Sequence, residues 1–319
     1  MNVSKLKQHP WVIGVSKNVR RGEIKRVSTF FNKELAIYRG DDNQLHCMSN
    51  ICPHRGARMS QGKVKGNCIE CPYHGWVFDK NGVLIDVPST SKDHTPKNSD
   101  LEPVKIKEDN GFIWALPDTW DDKDLPTSMC EEFNSPGWNK VYGSREVKGW
   151  WGDWIDNALD VSHINYVHDF ADENDGLVSN MKVDHTDKSV ICTVGVNPKA
   201  TTSLTEGMQV KTSQVHSEFV LPNSSIIKIK LKDPYEFVTV TSVLPINETT
   251  SRLSWCFLYN IDIPFVKDFA SWRFDEEMYK TVLEDEKIIK NLQKLTKRVN
   301  VSADAFQLQA LKRLMPMIE

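Results

Sequence analysis

Residues 52–76 read CPHRGARMSQGKVKGNCIECPYHGW, and this stretch contains one short pattern twice. The first copy offers Cys52 and His54, and the second offers Cys71 and His74. Thiolate and imidazole are the side chains that hold soft and borderline metals in proteins. A C2H2 zinc finger pairs cysteine with cysteine and histidine with histidine, whereas here each copy supplies one residue of each kind. The stretch therefore predicts a metal centre held between two equivalent loops.

Two kinds of centre take two cysteines and two histidines: a zinc ion and a Rieske [2Fe–2S] cluster. In a Rieske cluster the histidines replace two cysteines on one iron, so each loop would send its cysteine to one iron and its histidine to the other. Pro53 and Pro72 stiffen the loops, and Gly56 and Gly75 allow the backbone to approach a cluster. The doubled pattern favours the Rieske cluster, with zinc as the alternative.

The surrounding residues 1–117 read as an all-β domain of short strands. Residues 34–40, 45–49 and 111–117 are strand candidates. The stretch WVFDKNGVLI, residues 76–85, predicts a hairpin because Asn81-Gly82 favours a tight turn between its two apolar runs. Residues 118–139 are acidic and rich in turn formers, which predicts a linker.

Residues 140–319 predict a second domain with strands followed by a long helix. Several of its strand candidates are rich in β-branched residues: 189–196, 214–221, 224–231, 236–244 and 252–260. The helix is predicted from about Phe274 to about Arg298. Strands followed by a long helix indicate an α+β fold, with an antiparallel sheet curling around that helix.

A second group of possible metal ligands lies in residues 156–168, DNALDVSHINYVH. Two histidines and one carboxylate on one face of a metal suit non-heme Fe(II) oxygen chemistry. His163 and His168 are five residues apart, so a regular helix would separate them by roughly 140°. They can share one iron only if the helix is bulged or ends between them, and we expect an irregularity near Asn165.

The carboxylate ligand is expected in residues 281–293, TVLEDEKIIKNLQ, which offer Glu284, Asp285 and Glu286. Asp285 falls on the apolar stripe of the predicted helix, and a metal would satisfy a carboxylate buried there. Glu284 falls on a face that reads as wetter, and Glu286 is intermediate. We therefore select Asp285, with Glu286 and Glu284 as alternatives. The apolar stripe consists of Met278, Val282, Ile289 and Leu292.

Composition narrows the class of protein. Apolar residues make up 39% and charged residues 26% of the 319 residues, and the net charge of −3 predicts no nucleic-acid partner. We find no apolar run of the roughly 18–20 residues that a membrane span needs, and no secretion signal. Seven cysteines without framework spacing favour a reducing compartment. We expect a cytoplasmic location, or an organelle stroma if a presequence has been removed.

Together the two motifs resemble those of the catalytic α-subunits of Rieske non-heme iron oxygenases. The compact length and IDVPS at residues 85–89 resemble the branch with vanillate and dicamba demethylases, pheophorbide oxygenases and saxitoxin-pathway hydroxylases. The resemblance implies a helix-grip catalytic domain over residues 140–319, and it implies mononuclear Fe(II).

The resemblance also assigns roles to individual residues. The cluster residues are Cys52, His54, Cys71 and His74, and the iron ligands are His163, His168 and Asp285. In the family an aspartate links an iron-ligand histidine to a cluster histidine of a neighbouring subunit. Here Asp160 would join His163 to His74 of the partner subunit, with Asn157 supporting it from one turn earlier. Such a bridge implies head-to-tail contacts, and a homotrimer is the simplest ring.

The expected activity uses O2 and externally supplied electrons to monohydroxylate or oxidatively demethylate an aromatic or polycyclic small molecule. We find no GxGxxG fingerprint and no plant-type ferredoxin spacing, so a separate reductase or ferredoxin is expected. Cis-dihydroxylation of an aromatic ring is the second reading. A Rieske electron carrier fused to a ligand-binding module and a zinc-stabilised binding protein are the alternatives from other classes.

Overall fold

The structure is a computed structural model that describes residues 3–29, 33–90, 96–121, 125–168, 179–196, 213–230, 235–261 and 266–318. It divides into two compact units. The N-terminal unit comprises Lys7–Lys123 together with Pro245–Asn247. The C-terminal unit comprises Met1–Leu6, Asp124–Leu244 and Glu248–Glu319. The linker predicted at residues 118–139 stays a prediction.

The N-terminal unit is built from short antiparallel strands, as predicted. Its three sheets have the orders β1-β10-β9, β2-β3-β4 and β5-β6-β7-β8. In chain order the strands are β1 (Trp11–Val15), β2 (Ile24–Thr29), β3 (Lys33–Arg39), β4 (Leu45–Ser49), β5 (Lys63–Lys65), β6 (Cys68–Glu70), β7 (Val77–Phe78), β8 (Leu84–Asp86), β9 (Ile106–Asp109) and β10 (Phe112–Ala115).

The hairpin predicted at residues 76–85 is confirmed by the pairing of β7 with β8. Asp79 closes its turn, because Oδ1 accepts the backbone N–H groups of Asn81 and Val83 at 2.9 Å each. Gly82 lies in the turn at φ 81°, a conformation that favours glycine. Strand β8, the last of its sheet, therefore returns beside the second metal loop. Trp76 and Phe78 belong to the buried hydrophobic core of this unit.

The C-terminal unit contains one antiparallel sheet of seven strands, in the order β11-β17-β16-β15-β14-β13-β12. Four described helices accompany it, and a fifth short one lies near the chain start. The strands are β11 (Asn139–Lys148), β12 (Ser179–His185), β13 (Ser189–Val196), β14 (Ser213–Val220), β15 (Ser224–Lys230), β16 (Glu236–Asn247) and β17 (Thr250–Tyr259), and the helices are α1 (Val3–Leu6), α2 (Trp151–Leu159), α3 (Ile164–Val167), α4 (Val266–Ile289) and α5 (Ala305–Ile318).

Helix α4 is the predicted long helix, and it packs on the sheet through aromatic side chains. The ring centroid of Phe274 lies 4.7 Å from that of Phe257 and 4.8 Å from that of Tyr259. Both predicted limits, near Phe274 and near Arg298, are wrong, since α4 begins at Val266 and ends at Ile289. Residues 290–302 are exposed throughout, so no buried face remains to stabilise a further helical turn.

In the part of the chain that the structure describes, no helix has the length and apolar character needed to cross a membrane.

Candidate metal centres

The two metal loops of the N-terminal unit have the same backbone geometry. In the first, Cys52 N–H donates to Ala57 O at 2.8 Å, and Gly56 N–H donates to Cys52 O at 2.9 Å. In the second, Cys71 N–H donates to Trp76 O at 2.8 Å, and Gly75 N–H donates to Cys71 O at 3.2 Å. Both glycines have φ 72°, in the left-handed region. The repeated sequence pattern therefore folds into a repeated loop.

The four predicted cluster residues meet between these loops. Cys52 and Cys71 are each 2% exposed. The His54 ring stacks on Trp76 with centroids 4.4 Å apart, and it meets the His74 ring edge-on at 4.6 Å. Burial, together with the neighbouring Cys71 thiol, raises the pKa of Cys52 to about 11. His54 Nδ1 is buried and has no hydrogen-bond partner among the described residues, which fits a ring nitrogen that binds a metal.

The arrangement of these residues favours two metal atoms over one. A tetrahedral zinc would require four ligand atoms crowded around a single point. Among the described residues one group of three ligands lies within 4.8 Å of one another, and none of the four loop residues belongs to it. The loops therefore fit a cluster with two irons, which spreads its ligands, better than a zinc ion.

The compact group of ligands is found in the C-terminal unit, and it consists of His163, His168 and Asp285. His163 Nε2 lies 3.5 Å from Asp285 Oδ1, and His168 Nε2 lies 3.4 Å from the same oxygen. Asp285 is 7% exposed, and its Oδ1 accepts no hydrogen bond from any residue that the structure describes. A buried carboxylate oxygen faced by two ring nitrogens fits a divalent metal ion.

Local chain geometry brings the two histidines together. Helix α2 ends at Leu159, and Asp160 is extended, with φ −81° and ψ 113°. His163 precedes the single turn of α3, and His168 follows it in an extended conformation. The helical turn thus ends between the two histidines, as their spacing requires. The extended residues that interrupt the helix are 160 and 168, and not Asn165 as we expected. The ring centroids of the two histidines are 5.2 Å apart.

The ring of His163 is oriented by the chain before it. Its Nδ1 lies 2.6 Å from the backbone oxygen of Asp160, and a carbonyl oxygen only accepts, so Nδ1 is the donor. Burial lowers the pKa of His163, but the Asp285 carboxylate and the Asp160 contacts outweigh burial, and the net pKa is raised. In a metal site the ion takes the place of the proton that Asp285 favours.

The Asp160 carboxylate has different contacts from those we expected. Its Oδ1 accepts hydrogen bonds from Ser162 N at 2.8 Å and from Ser162 Oγ at 2.6 Å. The backbone oxygen of Asp160, and not the carboxylate, receives the His163 N–H. Asn157 contributes its backbone oxygen to Asp160 N at 3.1 Å. The bridging role of the carboxylate and the supporting role of Asn157 stay predictions.

Sequence reasoning was wrong about Glu284. We placed it on a wetter face of the helix, but it is 9% exposed and its Oε2 lies 3.0 Å from His168 Nδ1. The helical period places Glu284 off the apolar stripe that contains Asp285. Periodicity cannot show that a polar residue is buried by a partner from another element, here His168. Glu286, the other alternative, pairs with Arg145 at 3.1 Å and does not join the group of three.

The fold and the two ligand groups define an iron–sulfur protein with a separate mononuclear metal site. A family model described as the Rieske [2Fe-2S] domain matches residues 9–106. A model described as the vanillate O-demethylase oxygenase C-terminal domain matches residues 149–319, more than half of the chain. The protein therefore belongs to the Rieske oxygenases of the vanillate O-demethylase type, with a [2Fe–2S] cluster and a mononuclear iron as cofactors.

Individual relatives act on varied molecules, according to their names. The oxygenase component of 3-ketosteroid-9-alpha-monooxygenase from Rhodococcus rhodochrous is 23% identical over 86% of this chain and 78% of that protein. Cholesterol 7-desaturase from Hemicentrotus pulcherrimus is 32% identical over 50% of this chain. The match covers only about a third of the first curated relatives, 35% of that desaturase and 34% of the one from Bombyx mori.

Solved structures share the fold over nearly the whole chain. Dicamba monooxygenase bound to 3,6-dichlorosalicylic acid has a TM-score of 0.85 at 17% identity, covering 98% of this chain and 97% of that chain. NdmA from Pseudomonas putida CBB5 with caffeine has a TM-score of 0.78 at 18% identity, covering 98% and 91%. At this identity the likeness establishes the fold alone.

Proposed function

We propose that the protein is an oxygenase that uses O2 and externally supplied electrons to monohydroxylate or oxidatively demethylate an aromatic or polycyclic small molecule. The observation that carries this proposal is the buried Asp285 oxygen faced by His163 and His168 in a chain that also has the Rieske loops. A Rieske electron carrier fused to a ligand-binding module would have no need of this second group. A zinc-stabilised binding protein would have no need of the Rieske loops.

In the N-terminal unit, Cys52 and Cys71 would hold one iron of the cluster, and His54 and His74 would hold the other. The buried Nδ1 of His54, which has no partner in the described part of the chain, and the edge-on contact of the two histidine rings support this assignment. The cluster supplies single electrons when it is bound. The chain contributes two loops with matching backbone hydrogen bonds, in which Cys52 and Cys71 are equally buried.

In the C-terminal unit, His163, His168 and Asp285 hold the mononuclear iron. Two histidines and a carboxylate suit Fe(II), and a metal bound by them would supply reductive activation of O2. The chain orients the ligands, since the Asp160 carbonyl fixes the His163 ring and helix α4 presents Asp285. Burial of Asp285 and His168 keeps bulk water from the ligand atoms.

In the proposed assembly, electrons would reach the iron site from the cluster site of the partner subunit. We assign the route His74 of the partner subunit, then Asp160, then His163, in a head-to-tail homotrimer. His74 is exposed and Asp160 is half-buried, so both ends are accessible to a neighbouring chain. Asn157 supports Asp160 from the preceding helical turn. A separate reductase or ferredoxin reduces the cluster.

The substrate class follows from the relatives' names, which include dicamba monooxygenase, a ketosteroid monooxygenase and chlorophyllide a oxygenase. All name aromatic or polycyclic molecules. Cis-dihydroxylation of an aromatic ring remains the second hypothesis, because the same iron ligands serve monooxygenation and dihydroxylation. We assign the protein to the cytoplasm or to an organelle stroma, since some relatives are named as chloroplastic.

The test is a substrate screen coupled to O2 consumption, with a surrogate reductase and with aromatic acids, methyl ethers, sterols and tetrapyrroles. A substrate should accelerate O2 uptake; a hydroxylated product should carry oxygen derived from 18O2, and a demethylated product should form together with one equivalent of formaldehyde. Iron and acid-labile sulfide are measured on the same sample. Iron that never exceeds the sulfide would support the electron carrier, and a lack of sulfide would support the zinc protein.

A further inference from the structure

Helix α4 contacts both nitrogens of one histidine ring through two adjacent residues. Glu284 Oε2 lies 3.0 Å from His168 Nδ1, and Asp285 Oδ1 lies 3.4 Å from His168 Nε2. A carboxylate oxygen only accepts hydrogen bonds, so Nδ1 of His168 is the donor. The proton on Nδ1 leaves the lone pair on Nε2, the nitrogen that faces Asp285. Glu284 thus selects the tautomer that a metal ligand needs.

The two histidines differ in what orients them. His163 donates to the backbone oxygen of Asp160 at 2.6 Å, a neutral acceptor, whereas His168 donates to the Glu284 carboxylate. A carboxylate behind a metal-bound imidazole makes the ring a stronger donor than a carbonyl does. His168 is also the more buried of the pair, with its side chain 3% exposed against 16% for His163.

We propose that Glu284 is a positioning residue that holds His168 as the Nδ1–H tautomer and thereby strengthens iron binding. The inference rests on the proposed role of His163, His168 and Asp285 as iron ligands. Glu284 itself lies behind His168 and makes its contact through that ring.

A plainer role for Glu284 is an ion pair on the helix surface. Lys280 Nζ lies 3.7 Å from Glu284 Oε1, at the spacing of one helical turn. The Lys280 side chain is 48% exposed, and exposed pairs of this kind contribute little to stability. The Glu284 side chain is only 10% exposed, and its shorter contact is with the histidine. The geometry therefore assigns its main contact to His168.

The test measures metal affinity in cluster-containing protein whose mononuclear site has been emptied with a chelator. Anaerobic titration with Fe(II), and separately with Co(II), gives the dissociation constant. Glu284→Ala should weaken binding about 10- to 100-fold, the usual effect of removing a partner of a metal ligand. The metal affinity of Glu284→Gln should lie between those of the parent protein and Glu284→Ala, because the amide oxygen still accepts the Nδ1 hydrogen bond but carries no charge.

The matched control is Glu286→Gln, which removes the carboxylate two positions further along the same helix. Glu286 accepts hydrogen bonds from Arg145 and from the backbone N–H of Lys148, and it does not touch the histidines. The affinity of the Glu286→Gln variant for Co(II) should equal that of the parent protein. The visible absorption of bound Co(II) should shift in both Glu284 variants and stay unchanged in the control, because only they alter the His168 ligand.

Each outcome decides between the two roles. Parent-like metal affinity in Glu284→Ala overturns the proposal. The proposal is also overturned if metal-free Glu284→Ala loses thermal stability while the metal affinity of Glu284→Gln is unchanged. A Gln variant as weak as the Ala variant contradicts the tautomer role. If the parent protein itself binds neither metal, the proposed function fails first, and the series distinguishes that failure from this one.

Discussion

At the scale of single residues, Asp285 is the central ligand of the proposed iron site, because both histidine rings turn Nε2 toward its Oδ1 atom. Asp285→Asn keeps the shape but removes the charge that a cation needs. We expect purified variant protein to fall from about three irons per two sulfides toward two, with the cluster spectrum unchanged. Iron and sulfide analysis is the measurement. Full iron content in this variant would exclude Asp285 as the ligand, and Glu286→Gln, which should keep its iron, is the control.

A second residue-scale prediction concerns electron transfer through Asp160. Asp160→Ala leaves the backbone oxygen that orients His163, so iron should still bind. The lost carboxylate should slow cluster oxidation by about 10- to 100-fold during single turnover with substrate and O2, because the proposed route passes through it. Stopped-flow absorbance of the cluster follows the reaction. Ser162→Ala removes one hydrogen bond to the same carboxylate and is the milder control. Normal oxidation in Asp160→Ala would reject the route.

At the scale of elements, sequence patterns predicted the interior of the sheet and missed its edges. The predicted strands β13 to β17 alternate or carry β-branched runs, because they are buried between neighbours. The edge strands β11 and β12 are mostly half-exposed or exposed, so they lack an apolar pattern to detect. Asp285 was found because the helical period placed it on the buried face. Glu284 was not, because its partner lies on a different element.

The metal loops provide an element-scale prediction with an internal control. Gly56 and Gly75 have the same positive φ, so alanine at either position costs about 1–2 kcal/mol of strain. At Gly75 the added Cβ also meets Pro88 Cγ at 3.2 Å, whereas at Gly56 it meets no atom within 4 Å. Gly75→Ala should therefore lose more cluster than Gly56→Ala, measured as visible absorbance per protein. Equal losses would show that backbone strain alone decides.

The segment before β11 is attached to the sheet by a buried ion pair. Glu132 Oε1 lies 2.5 Å from Lys228 Nζ on β15. Burial raises the pKa of Glu132, but Lys228 and nearby donors outweigh burial, so the net pKa is lowered. The pair therefore stabilises the fold above the ordinary carboxyl pKa, and this contribution is lost as the pH falls through the lowered value.

Lys228→Met should leave Glu132 buried without its partner. We expect a loss of about 3 kcal/mol at pH 7, the lower end of the usual range because Lys228 is 23% exposed. Urea unfolding at pH 7 and at pH 4 measures the effect, which should shrink at the lower pH. Adding Glu132→Gln in the same chain should restore part of the loss. A pH-independent effect would contradict the ionic cause.

At the scale of the whole molecule, the two ligand groups belong to different compact units. The cluster loops lie in the N-terminal unit, and His163, His168 and Asp285 lie in the C-terminal unit. An electron must therefore pass from one unit to the other, within one chain or between two. His74 is exposed, so another chain can reach this predicted cluster ligand. Only an assembly experiment separates the two routes.

Mixed oligomers of two inactive chains distinguish these routes. His74→Ala removes a cluster ligand and keeps the iron site, whereas Asp285→Asn keeps the cluster and removes the iron. In a head-to-tail trimer, every mixed ring contains one junction where an intact cluster faces an intact iron site of the next chain. Random one-to-one mixing should restore about a quarter of the parent activity per ring. Co-refolded or co-expressed chains are assayed for substrate-dependent O2 uptake, with each variant alone as control. A route within one chain restores none, because no chain then holds both centres.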